Sequence, residues 1–182
     1  MKLNKLLRKQ KGFTLLETMI AMAILSFGVL SVASFFSQGL KNSNAVKMQY
    51  VANQKAQEAL ETIFTARDSQ LLSFGQLNNI SAGGVFKDGP QPLWAPGPDG
   101  LVGTSDDDSN NPDVIVIGPG PDGILGTADD ATIPLNPWMT RTIGITAVTG
   151  ETNLRQITVT INYKMGKIQR TYTLISYISA FA

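Results

Sequence analysis

A chain of 182 residues with a formal net charge of +1 and neither histidine nor cysteine is restricted in its chemistry. No disulfide can staple it, and a zinc site of the usual kind has no ligands. The commonest general base and the strongest common nucleophile are missing, and no phosphate loop or dinucleotide fingerprint occurs, so no catalytic residue is assigned. In chain order, a leader comes first, carrying Lys2, Lys5, Arg8, Lys9 and Lys11 and no acid. Then come Gly12-Phe13-Thr14-Leu15-Leu16-Glu17 and 23 uncharged residues, Thr18 to Leu40. A helix of that length spans roughly 35 Å, enough for a hydrocarbon core of about 30 Å. The basic leader keeps the N-terminus cytoplasmic and sends the C-terminal body across the membrane. An ordinary secretory signal is cut after its apolar region. Here the processing point, Gly12-Phe13, lies before it, so cleavage leaves the apolar helix on the mature protein.

These residues, with Met19-Ile20-Ala21-Met22-Ala23-Ile24-Leu25 behind them, resemble the class III signal of type IV pilins and type II secretion pseudopilins. The resemblance implies cleavage by prepilin peptidase between Gly12 and Phe13 and N-methylation of Phe13. It also implies an assembly role for Glu17, whose carboxylate would pair with the N-terminal amine of a neighbouring subunit. A carboxylate at the centre of a membrane helix costs about 2.5–3.5 kcal/mol; near the helix start the cost falls, and the charge suits the positive end of the dipole. The stretch around Ser26-Phe27-Gly28, with Gln57-Glu58-Ala59-Leu60-Glu61, is most similar to PilV-like minor pilins. Expected partners are then the major pilin, other minor pilins, the inner-membrane assembly platform and a tip adhesin. Expected locations are the inner membrane, with the C-terminal body periplasmic, and afterwards the extracellular filament. Loss of the leader turns the side-chain charge to −4, which argues against nucleic acid as a partner.

The helix is expected to run on through residues 41–66. No proline interrupts it, and Ala45, Met48, Ala52, Ala56, Ala59 and Ile63 form an apolar stripe at i+3 and i+4 spacing. The absence of a proline near Ser34 predicts a straighter helix than in major pilins. Residues 67–96, rich in glycine and proline, read as a connecting loop anchored by Leu71, Leu72, Phe74, Leu77, Ile80, Val85, Phe86 and Trp94.

Next comes an internal repeat. Gly97-Pro98-Asp99-Gly100-Leu101-Val102-Gly103-Thr104-Ser105-Asp106-Asp107 returns 23 residues later as Gly120-Pro121-Asp122-Gly123-Ile124-Leu125-Gly126-Thr127-Ala128-Asp129-Asp130, with eight of eleven positions identical. Residues 97–130 hold eight of the 14 acids, and no Lys or Arg occurs from Asp88 to Thr140. Hard oxygens on flexible glycine turns suit calcium (Ca2+), with Asp99, Asp106, Asp107, Asp122, Asp129 and Asp130 as candidate ligands, although the spacing is not that of an EF-hand. Two other readings stand beside it: solvated Asp-Gly turns flanking a short strand, Asp113 to Ile117, and a charge patch that docks a partner.

The period then changes to two. Strands are expected over Thr142–Val148, around Ile157, Val159, Ile161 and Tyr163, and over about Ile168–Tyr177, with short turns making an antiparallel meander. The amphipathic half of the long helix is the obvious cover for one sheet face. The expected fold class is therefore α+β and pilin-like, with 1–12 a cleaved leader, 13–40 the membrane or filament-core helix and 41–66 its amphipathic continuation. Residues 67–96 form the connecting loop, 97–130 the aspartate loops and 140–182 the sheet. Three functions follow: a minor pilin subunit of a type IV pilus, a type II secretion pseudopilin, and a membrane-anchored calcium-binding protein that never polymerises.

Overall fold

The computed structural model describes residues 12–165 and 168–181. The chain divides into two compact units at Asn44 and Ala45. One helix, α1 (Leu15–Asp68), enters both. It starts at Thr14, whose hydroxyl accepts from Glu17 N at 3.2 Å, while Glu17 Oε2 accepts from Thr14 N at 2.9 Å. This reciprocal pair is a capping box, and it satisfies helix-start donors that otherwise have no partner. At the other end Gln70 adopts a left-handed φ of 59°, and Leu72 N returns to Ala66 O, which tucks Leu72 into the core.

In the first unit every described side chain from Gly12 to Ser43 is exposed. The hydroxyls of Ser26 and Ser31 donate to Met22 O (2.7 Å) and Phe27 O (2.8 Å), so these polar groups are satisfied inside the helix itself. It is the one helix among the described residues long and apolar enough to cross a membrane.

In the second unit the remainder of α1 covers an antiparallel sheet of order β1-β6-β7-β8, where β1 is Gln91–Pro92, β6 Met139–Ala147, β7 Leu154–Met165 and β8 Ile168–Ser179. The alternation read from the sequence is the alternation of burial. Ile157, Val159, Ile161 and Tyr163 point into the core, and Thr158, Thr160 and Asn162 are only half-buried. Across the core, Ala52, Ala56, Ala59 and Ile63 are fully buried. Small alanines share that stripe with Ile63, and each fully buried Ile contributes about 1.5–3 kcal/mol. The α+β arrangement of a long N-terminal helix on an antiparallel sheet is thus present. The strands run somewhat longer than the sequence pattern suggests, and the tip Gly166-Lys167 of the last expected turn lies outside the described residues.

The expectation of a plain connecting loop needs correction. Residues 69–96 are not bare loop: they contain a 3-10 turn (Ile80–Ala82), β1, and β2 (Trp94–Ala95), which pairs with β3 (Asp108–Pro112). Asn79 also imitates a strand there, its Oδ1 accepting from Ile145 N and its Nδ2 donating to Ile143 O on the edge of β6. Of the expected anchors, Leu72, Leu77 and Phe86 are buried, but Leu71 and Ile80 are exposed. The short strand expected at Asp113–Ile117 is β4 (Val114–Gly118); it pairs with β5 (Ala131–Pro134) in a two-stranded ribbon outside the main sheet.

Candidate functional site

Three places concentrate unusual chemistry: the start of α1, the two aspartate loops, and a buried ion cluster beneath them.

At the helix start, Gly12 and Phe13 precede the first helical turn as exposed, non-helical backbone. Glu17 takes two hydrogen bonds, from Thr14 N and Thr14 Oγ1, each at 2.9 Å, and both land on Oε2. Among the described residues no contact occupies Oε1.

The two loops have one geometry. In the first copy Leu101 N donates to Asp99 Oδ1 at 2.8 Å and Gly103 N to Asp107 Oδ2 at 2.8 Å; in the second, Ile124 N donates to Asp122 Oδ1 at 2.8 Å and Gly126 N to Asp130 Oδ2 at 2.7 Å. Thr104 and Thr127 donate to Asp106 and Asp129 at 2.6 and 2.7 Å. Asp99 N and Asp122 N reach the same two carboxylates at 3.3 and 3.2 Å. Gly103 and Gly126 share a left-handed φ, 83° and 88°, which explains the glycine at each place. Gly97 and Gly120 are glycine for a different reason: a β-carbon would collide with the carbonyl oxygen of Asp106 or of Asp129.

The environment of the copies differs. Leu101 and Val102 are 2% and 1% exposed, whereas Ile124 and Leu125 are 61% and 65% exposed. Burial pushes the Asp107 carboxyl up, against the hydrogen bond from Gly103 N and the charges of Arg141 and Lys87. Burial, helped by the charge of Asp106, pushes Asp99 up as well. The Thr127 hydroxyl holds Asp129 below the usual aspartate range. The six aspartates are therefore sorted by the structure into two sets of three, each wired into its own loop. Among the described residues no group of three or more acidic side chains converges as a ready metal cage.

Beneath the first copy lies a cluster that the apolar pattern passed over. Lys55 Nζ bridges Glu58 Oε2 (2.7 Å) and Asp113 Oδ1 (2.8 Å), and Arg141 is buried beside the same acids. Burial lowers the Arg141 pKa, opposed by Glu58, Asp113 and Asp107. Asp113 Oδ2 and Arg141 Nη1 have no hydrogen-bond partner among the described residues. Lys55 lies three residues after Ala52 and four before Ala59, on the buried stripe itself. That position was the available signal for a paired, buried lysine.

The chain matches the prokaryotic N-terminal methylation motif over residues 7–33, a stretch that contains Gly12, Phe13 and Glu17. Comparison with the curated proteins and with the solved structures gives no match. The matched motif and the apolar helix behind it support a type IV pilin-like or pseudopilin precursor, and the motif implies processing by prepilin peptidase.

Proposed function

We propose that this chain is a minor pilin subunit of a type IV pilus. It enters the inner membrane as a prepilin with its C-terminal body periplasmic, is cut between Gly12 and Phe13, and carries a methylated Phe13 into the filament beside the major pilin and other minor pilins. The observation that carries the reading is the conjunction at one helix start of Gly12-Phe13, Glu17 and a helix surface that stays apolar and exposed to Leu40. Such a surface needs lipid before assembly and neighbouring helices after it. The capping box spends Glu17 Oε2 on the subunit's own helix and leaves Oε1 for the amine of the next subunit. PilV-like character and the displayed aspartate loops favour a place near the tip or in the initiation complex, next to a tip adhesin. No enzymatic role is proposed.

Calcium is proposed as a ligand of the two loops on their composition, because no three carboxylates converge among the described residues and an ion would have to draw them together. Each loop holds three carboxylates in one short turn, and carboxylate oxygens that accept one N–H bond keep a second lone pair.

Deleting the protein in its own cells and scoring surface pili against secretion of enzymes separates the pilus from a type II secretion pseudopilus. Loss of pili with secretion intact is expected, and the reverse overturns the reading. Replacing Glu17 by Ala should remove the chain from sheared filaments while leaving it in the membrane; undiminished incorporation counts against any subunit role.

A further inference from the structure

The repeat contains its own control. One motif occurs twice with the same internal hydrogen bonds, once docked and once bare. In the docked copy, Leu101 and Val102 sit in the core with Ala66 and Ile143, and Asp107 lies within the field of Arg141 and Lys87. The seat is thus an aliphatic surface with Arg141 and Lys87 in range of Asp107, although neither forms a salt bridge to it among the described residues. In the bare copy Ile124 and Leu125 occupy the matching positions and meet solvent. No salt bridge reaches Asp122, Asp129 or Asp130 among the described residues.

The strands that carry the bare copy are exposed too. Val116, Ile117 and Ile133 are solvent-facing on β4 and β5, which pair only with each other. A two-stranded ribbon is marginal in water unless something covers it. Ile115 packs that ribbon's base on the core, but Val116, Ile117, Ile124, Leu125 and Ile133 remain exposed, and exposed apolar residues gathered on one ribbon beside acids mark a contact site. The occupant is a different protein rather than a second copy of this chain, because the seat that fits the motif here is already filled by residues 101–104.

We infer that the ribbon Val114–Pro134, with Ile124 and Leu125 at its tip, is a docking arm for a partner protein that presents an aliphatic patch bordered by Lys or Arg, as this chain presents one to its own first copy. The inference does not depend on membership of a filament.

The test places a photo-crosslinking phenylalanine analogue at Leu125 of the full chain, in the cells that make it, with the same probe at exposed Thr146 as the reference. The expected result is a cross-link specific to position 125, into a peptide of another protein in which aliphatic residues flank Lys or Arg. Replacing both Asp122 and Asp130 by Asn keeps an oxygen for Ile124 N and Gly126 N but removes two charges. It should cut the cross-link about fivefold, and Ile124→Asn should do the same. Ile124→Asn should leave the thermal transition of the purified chain in place; the Asn pair, which weakens two of the loop's own hydrogen bonds, should lower it by a few degrees while the chain stays folded in the cells, and the two together separate lost docking from lost folding. The inference is overturned by a cross-link only to a second copy of this chain, by none above the Thr146 reference, by a partner peptide without cations, or by a yield indifferent to both replacements.

Discussion

Leu101 and Ile124 are the same position of one repeated motif, so truncating each to Ala separates loop geometry from loop burial. Both changes remove three carbons, worth about 0.8 kcal/mol each when fully buried. Leu101 is 2% exposed and loses nearly all of that. The void it leaves in the core adds a further term, so Leu101→Ala is expected to cost about 3 kcal/mol. Ile124 is 61% exposed, so the same truncation removes about 1 kcal/mol at most. For a unit of this size 1 kcal/mol corresponds to about 4 °C in Tm. Thermal unfolding of the full chain in detergent, followed by circular dichroism, should show Leu101→Ala melting about 12 °C below the parent and Ile124→Ala within about 4 °C of it. Equal losses, or a loss for Leu101→Ala under about 4 °C, would refute the claim that the copies differ in burial and not in shape.

Two further outcomes follow from the same region. Lys55→Met leaves Asp113 and Glu58 without their shared cation next to buried Arg141, and should lower stability by about 3 kcal/mol in denaturant titration; adding Asp113→Asn should restore at least about 1 kcal/mol of it. A neutral Lys55→Met would remove the ion cluster from the account of stability. If the loops take calcium with a dissociation constant of about 10⁻⁴ M, 1 mM calcium should stabilise the chain by about 1.4 kcal/mol per ion relative to chelator and protect residues 88–140 from protease. An unchanged melting curve together with an unchanged digest defeats the calcium reading.

How much of this was legible in the sequence depended on whether the signal was local. The period-two run from Ile157 to Tyr163 and the stripe Ala52, Ala56, Ala59, Ile63 carry their burial in their spacing, so sheet and cover could be read directly. The N-terminal signal was legible for the same reason, since Gly12, Phe13 and Glu17 lie within six residues. Thr14 was equally legible as the N-cap partner of Glu17, since Thr and Glu three residues apart make a capping box. Contacts made across the chain left no local trace. Lys55 meets Asp113 at a separation of 58 residues, and Asn79 reaches β6 at a separation of 64 or more. No spacing rule connects such pairs. The difference between the two loops was illegible in principle, because Leu101-Val102 and Ile124-Leu125 are equally apolar.

That equality leads to a physical account of the loops that the acid count alone does not suggest. Three carboxylates in an eleven-residue turn should repel one another. Yet each copy gives every one of them a backbone N–H or a threonine hydroxyl, and hydrogen bonds to a charged acceptor are stronger than neutral ones. The aspartates therefore work first as the internal scaffold of the turn, replacing the disulfide that the composition forbids. Because that scaffold lies inside the loop, the turn keeps its shape whether or not a core stands behind it. The first copy uses this independence to close the domain against α1 and β6. The second holds the same shape with Ile124 and Leu125 mostly exposed, so its apolar face is preformed before any partner arrives, and little ordering entropy remains to oppose docking.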